Sequence, residues 1–421
     1  MTESIANIVA QHAEEAAFLW LLRDAAAVAP HYALEDLARL DGRLDAHLEG
    51  LRVAGADGWS ALASELEKGQ PGEVFACAAV ALASGDAAKL DQVVETAVAA
   101  PPLGRAVVAA LGWLPTKTAM ARLQPLLASS HAAVRPIALA GAVAHRQHPG
   151  AALEAALKQP EPALRSVALR AVGKLGALKH LPEARAALKS SDVACRFAAA
   201  WTLGLLAPPD RDVMRTLQDT VLDVPRWRDD ALQVLMRRVD VAGGGKWLAA
   251  CFEKPELQRL AIIGFGYLGD PAAVPRLIEV MKQPALARVA GEAFCAITGL
   301  HLQYDRLEAA KPAGFEAGPT ESPADDAVEP DPDESLPWPD QAKVARWWSE
   351  HSSRFAPGVR HLLGKPISVE GLAHALAVGR QRQRAAAAVE LAIRRPGTPL
   401  FEVRAPGFRQ LASLPTVKPT A

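Results

Sequence analysis

At 421 residues, 50% of them hydrophobic, the chain is long enough to bury a large core. Its 46 lysines and arginines against 47 aspartates and glutamates leave a formal net charge of −1. That is not the strong positive balance of a nucleic-acid binder, so such a role would need charges segregated onto one face.

The N-terminus lacks the basic start and continuous apolar core of a signal peptide, and no later run is apolar for long enough to span a bilayer, so a cytoplasmic protein is expected. Residues 1–25 predict an amphipathic helix around Ile5, Ile8, Val9 and the run from Phe18 to Leu22. Leu34, Leu37, Leu40, Leu44, Leu48 and Leu51 follow as a helical stripe. Residues 1–70 differ from what comes after them and read as an N-terminal helical cap; the alternative for their exposed part is a surface on which a partner helix docks.

The next 230 or so residues are periodic. Versions of the stretch from Leu164 to Gly176 recur on both sides of it, and its first arginine aligns with Arg105, Arg135, Arg165, Arg196, Arg228, Arg259 and Arg288, at steps of 30, 30, 31, 32, 31 and 29. A period near 30 accommodates two short helices and two turns, the unit of an α-solenoid. The first helix of a unit is amphipathic, as in the runs from Leu153 to Leu157, Ala184 to Leu188 and Val274 to Met281. Prolines at 101 and 102, 160 and 162, 225, 255 and 284 mark the start of the second helix, where a missing N–H leaves no intrahelical bond unmade. The second helix is more apolar: Val167, Ala168, Ala171 and Val172 in one unit, Phe197, Ala198, Trp201 and Leu205 in another. No run alternates with the period of a strand, so the prediction is all-α, with one uninterrupted solenoid over residues 71–304.

The recurring arginines sit one turn into a helix, several of them three or four residues after an acid, which predicts a structural ladder linking turns of adjacent repeats; a basic track for a polyanion is the alternative. Trp113, Trp201, Trp227 and Trp247 fall at helical positions and read as core. The segment Arg226-Trp227-Arg228-Asp229-Asp230 concentrates charge and an aromatic at a helix start, which makes Trp227 and Arg228 candidate partner-binding residues, with a solvated helix start as the alternative the residue types favour. The cysteines Cys77, Cys195, Cys251 and Cys295 lie in apolar helical contexts and form no Cys-x-x-Cys pair, so buried thiols in a reducing compartment are expected. Paired helices of this length, a proline turn and an arginine opening the second helix resemble the HEAT-repeat proteins. The resemblance covers roughly residues 70–300 and implies fold rather than function.

Beyond the repeats the composition changes. Residues 305–337 carry Pro312, Pro319, Pro323, Pro330, Pro332 and Pro337 among many acids, which predicts a disordered acidic linker. Residues 338–410 predict a C-terminal helical segment. Val344, Trp347, Trp348 and His351 lie on one helix face there, and a further helix spans about 369–395; residues 411–421 form a tail. Trp347 and Trp348 suggest a docking element, with packing back onto the repeats as the alternative. Arg380, Arg382 and Arg384 form a basic run suited to an anionic partner, with a solvated face as the alternative.

The phrases Leu336-Pro-Trp-Pro-Asp340, Trp347-Trp348, Arg354-Phe355, Leu362-Leu-Gly-Lys-Pro-Ile367, Arg380-Gln-Arg-Gln-Arg384 and Leu400-Phe-Glu-Val-Arg-Ala-Pro406, with Ala293-Phe-Cys-Ala-Ile-Thr-Gly299, resemble an uncharacterised family of bacterial HEAT-repeat proteins associated with type VI secretion loci. That resemblance implies an accessory chaperone, loader or immunity protein whose partner is a secretion component or effector. It carries over no catalytic residue.

No histidine is followed by glutamate, and there is no Gly-x-Ser-x-Gly elbow or Walker-type loop, so a non-enzyme without cofactor or metal is expected. The alternative is a nucleic-acid-binding HEAT-like protein of the DNA-glycosylase type, using Trp201, Trp227 and Asp230; the balanced charge argues against it.

Overall fold

The computed structural model describes residues 5–319 and 330–414, and 22 α-helices lie among them. The chain divides into two compact units. The first comprises Met1–Val28, Tyr32–Pro208 and Arg395–Ala421; the second comprises Ala29–His31 and Pro209–Arg394.

The first unit opens with α1 (Ala6–Ala26), α2 (Leu34–Val53) and α3 (Ala56–Leu66). It continues through α4 (Pro71–Ser84), α5 (Ala87–Ala97), α6 (Pro101–Trp113), α7 (Thr116–Leu127), α8 (Val134–Ala144), α9 (Ala151–Lys158), α10 (Pro162–Leu175), α11 (Leu181–Ala187) and α12 (Val193–Leu206). Proline occupies the first turn of α4, α6 and α10, and the carboxylates of Asp86 and Asp192 accept from the backbone N–H groups that open α5 and α12. All six leucines of the predicted stripe are buried on α2. The helices α4, α6, α8, α10 and α12 pack side by side in that order, and α1 extends the row by packing against α4. In the core of the row Trp20 stacks on Phe75 at 5.0 Å, and Phe75 meets Trp113 edge-on at 5.6 Å.

The second unit repeats the pairing with α13 (Arg211–Asp223), α14 (Arg228–Arg238), α15 (Val241–Phe252), α16 (Gln258–Leu268), α17 (Val274–Val280) and α18 (Pro284–Thr298). Pro284 opens α18 as expected, whereas Pro225 and Pro255 each start a single 3-10 turn that runs on into α14 or α16. Then come α19 (Gln341–His351), a two-stranded antiparallel hairpin of β1 (His361–Leu362) and β2 (Lys365–Pro366), α20 (Val369–Val378) and α21 (Gln381–Arg394).

Two expectations are corrected here. The acidic stretch is not a free spacer at its described ends: Asp333, 2% exposed, and Asp331 form ion pairs with Arg259 and Arg288, and Glu308 bridges Pro339. Residues 320–329, including Pro323, lie outside the described residues. The helix expected over 369–395 is broken at Gly379, because α20 and α21 fold back on one another. The loop at 362–367 seals helix ends. Leu363 and Gly364 donate backbone N–H groups to the carbonyls of Ala296 and Ile297 at 2.8 and 3.0 Å, and His361 donates to Gly269. Gly299, at φ +77°, admits this chain: a Cβ there would sit 2.5 Å from the carbonyl carbon of Leu363.

The C-terminal tail is the other difference. Residues from Arg395 onward belong to the first unit, where they end in a short helix, α22 (Gly407–Ser413), packed on α2; residues 415–421 lie outside the described residues. Leu400 N–H donates to the Lys174 carbonyl, Arg146 pairs with Glu402 at 2.9 Å, and Arg23 donates to the Ala405 carbonyl. Arg409 donates to the carbonyls of Gly112 and Ala144, capping the ends of α6 and α8. Gly407 passes so close to α2 that a Cβ would lie 2.6 Å from the Ala38 Cα, and its N–H donates to the buried Asp41. Backbone cannot give way as a side-chain tip can. Gly407→Ala is therefore expected to loosen the tail at a cost of about 1–3 kcal/mol, read as faster amide exchange over residues 398–413 and a lower Tm. Unchanged exchange there would show that the tail is not held at this point.

Candidate partner-binding surface

The run from Phe18 to Leu22 lies on α1, and five consecutive apolar residues on a helix must face more than one way. Leu19 and Trp20 point into the core at 0% and 1% exposure, together with Val9, Ala13, Ala16 and Ala17. Phe18, Leu21 and Leu22 lie on the opposite side at 61%, 44% and 37%, and Ile8 and Val28 are also exposed. A terminal helix of a stacked row normally turns a polar face outward. Here the open end of the row is apolar. The exposed residues fall on the part of the expected cap for which docking of a partner helix was the alternative, and a helical wheel over positions 18–22 separates the two faces.

The seven arginines of the periodic ladder have three fates. Arg196 donates to the carbonyls of Ser190 and Ser191, and Arg228 to those of Val221 and Leu222, so each caps the turn that precedes its own helix. Arg259 and Arg288 hold Asp333 and Asp331, while Arg105 pairs with Asp24 on α1. Arg135 approaches Glu161 of the next repeat at 3.7 Å, and Arg165 has an Nε that is buried without a hydrogen-bond partner. Of these contacts, the pair made by Arg135 is the one that joins neighbouring repeats in the way the ladder reading expects.

The other candidates are placed as follows. Trp227 is half-buried beneath the Arg226 guanidinium, 3.8 Å from its ring centroid. Trp347 and Trp348 turn back onto their own unit: Trp347 meets Phe294 edge-on at 6.0 Å and stacks on His351, and Trp348 lies 5.4 Å from the Phe355 ring. Trp347 thus packs back onto the repeats through Phe294, whereas Trp348 packs on Phe355 of its own segment, and both rings stay half-buried. Arg384 is 0% exposed, donating to the Leu376 carbonyl and to Gln381 Oε1 where α20 turns into α21. It is neither a partner contact nor part of a solvated face. Arg382 pairs with Glu292 at 2.8 Å, and Arg380 donates to the carbonyl of His31.

For enzyme chemistry the thiols are the natural nucleophiles to test. Burial pushes Cys77 and Cys295 up to about 12, and burial with a hydrogen bond to Asp192 pushes Cys195 up to about 11, so they are protonated near neutrality. Among the described residues no group of three or more His, Cys, Asp or Glu is arranged to hold a metal ion. A cleft of about 280 Å³ in the second unit is lined by His301, Lys365, His374 and Arg380, without a carboxylate in its wall. Trp201, needed by the glycosylase-type alternative, is 4% exposed, with Arg170 stacked on it at 3.7 Å. No helix of the described residues is long and apolar enough to cross a membrane.

Comparison with known proteins agrees with this architecture. Residues 150–236 match the family model described as HEAT repeats, and residues 257–283 match that of the PBS lyase HEAT-like repeat. No curated protein and no solved structure matches the chain. Both matches are to repeats, and no catalytic family is indicated. The chain thus carries HEAT repeats in an all-α, solenoid-like fold.

Proposed function

We propose that this chain is a non-catalytic HEAT-repeat scaffold whose partner is a protein, and that it serves as a cytoplasmic accessory protein of a type VI secretion system, as chaperone, loader or immunity protein. The observation that carries partner binding is the apolar row of Phe18, Leu21 and Leu22 at the open end of the helix row. Each neighbour in that row is covered by the next helix, so an amphipathic helix of the partner, laid along α1, continues an interface the protein already uses. The secretion context is supported by the resemblance of the phrases quoted above. Several of these are the residues that seat the C-terminal segments, such as Leu362 to Gly364 and Leu400 to Pro406.

The test is co-purification of the tagged chain with the spike, tip, adaptor and effector components of such a locus, for the wild type and for Phe18→Asp combined with Leu22→Asp. Both residues face outward, so the variant should fold. One component is expected to bind the wild type, nuclease-insensitively, and to be retained at least about 100-fold less by the variant, in keeping with two lost apolar anchors. Equal retention by both would overturn the α1 assignment; binding of none of the components would overturn the secretion reading.

A further inference from the structure

We propose that the cleft in the second unit is a binding site for a small organic anion, a carboxylate or phosphate monoester on a short apolar body. Four segments of the chain converge on it. The loop after α18 supplies Leu300 and His301, the hairpin supplies Leu362 and Lys365, α20 supplies one of its faces, and the link into α21 supplies Arg380. On α20 the wall residues are Gly371, His374, Ala375 and Val378, the spacing of a single helix face. That face is left uncovered: Val378 is 49% exposed and His374 is half-buried. A volume of about 280 Å³ is at the small end for ligand sites, which suits a small acid.

Charge decides the class of ligand. The chain as a whole has 46 basic and 47 acidic residues, yet the wall carries Lys365, Arg380 and two histidines and no carboxylate. Asp305, which accepts the His301 backbone N–H at 2.7 Å, stands outside the wall. Arg380 is positioned by its bond to the His31 carbonyl at 2.8 Å. His301 Nδ1 accepts the Tyr304 N–H at 3.4 Å, which leaves the ring proton on Nε2. Burial and the neighbouring Arg380 lower the His301 pKa, so near neutrality the ring is a neutral hydrogen-bond donor. Among the described residues Lys365 and His374 have no hydrogen-bond or ion-pair partner. The carbonyls that end the flanking helices are already occupied: Ala296 and Ile297 accept from Leu363 and Gly364, and Ala375 accepts from Gly379. What the cleft offers is therefore a set of convergent donors, and an oxyanion meets them with charge-assisted bonds. The rest of the wall is apolar, through Leu300, Leu362 and Val378. Tyr304, 78% exposed, extends it beyond His301, whose ring centroid lies 4.3 Å from its own, so the ligand carries a hydrocarbon portion as well as the charge.

The probes are phenyl phosphate, hexanoate and hexylammonium, each titrated into the full chain by calorimetry and followed through the histidine side-chain NMR signals. Both anions are expected to bind and hexylammonium is not, and the tighter of the two anions identifies the head group. The signals of His301 and His374 should shift, while those of His12 and His47 in the first unit stay in place. That readout uses the wild type and is independent of any variant's folding. Lys365→Gln combined with His374→Gln should weaken binding about tenfold or more. Val378→Asp, which sets a carboxylate in the wall from an exposed position, should abolish it. Equal binding of hexylammonium, undiminished affinity in both variants, shifts at His12 and His47 in place of His301 and His374, or no binding of either anion would each overturn the site. None of these results bears on partner retention through α1, which is scored separately by the Phe18 and Leu22 variant.

Discussion

Replacing Glu390 by alanine is expected to cost the second unit about 3–5 kcal/mol, the range for removing one partner of a buried charge cluster. Glu390 is 2% exposed on α21 and receives Arg360 through bonds of 3.1 and 2.7 Å, Arg394 at 3.1 Å and Arg237 at 3.6 Å. Burial alone would raise its pKa, but Arg360 and Arg237 hold the carboxyl below its ordinary value, so it is the anion that the site requires. Without it, Arg237 and Arg360 stay buried with no counter-charge. Arg237 is 8% exposed and already has its charge disfavoured by burial. Denaturant unfolding should therefore show a lower midpoint, with amide exchange in α21 and β1 rising first. Changing Glu390→Leu together with Arg237→Met should recover part of the loss, because an apolar replacement removes the desolvation cost along with the pair. A Glu390→Ala variant within 0.5 kcal/mol of the wild type, a margin typical of surface changes, would show that the cluster does not anchor α21.

The acid limb of stability in the first unit is expected to depend on Glu402. Burial would raise this carboxyl, yet Arg146 and Lys174 hold it down to about 2, against an ordinary value of 4.5. A depressed carboxylate stabilises the fold above its unfolded value. The contribution, about 3 kcal/mol by linkage, is fully present near neutrality and is lost as the pH falls from about 4.5 to about 2. Asp24, lowered against its burial by Arg105 and Arg404, adds to the same limb. Glu402→Gln should remove most of the slope between pH 5 and 2 while lowering stability at pH 7. An unchanged acid limb in that variant would mean that the tail, not held through Glu402, is released independently of this pair.

The 30-residue period of the arginines, the first-turn prolines and the alanine-rich second helices were enough to read the paired helices, because local periodicity and helix starts are short-range properties. The C-terminal segments were less legible. Residues 398–407 contain little helical pattern and fall inside the helical segment predicted over 338–410, yet no helix forms between Arg394 and Gly407, and they make some of the tightest contacts in the first unit. What fixes them is a set of single contacts to residues more than 200 positions away, such as Glu402 with Arg146 and Gly407 with Ala38 and Asp41, and no window of sequence displays these. The acidic stretch misled in the same way: its composition is that of a spacer, while Asp331 and Asp333 each have one arginine partner in the repeats. The basic run at 380–384 suggested an anionic partner or a solvated face because charge density says nothing of direction, and Arg384 turns inward to close the gap between two helices. On α1 both the apolar residues and their division between two faces follow from helical periodicity, while which face packs on α4 depends on the fold.

The most direct test of the scaffold reading is hydrogen–deuterium exchange of the full chain, alone and saturated with the secretion component it retains. Protection confined to α1, centred on Phe18 to Leu22 and extending to the first turn of α4 beside Leu21, is the predicted result. Protection elsewhere, with α1 exchanging as in the free chain, would contradict the account, because the open apolar end of the helix row would then not be the surface the partner covers.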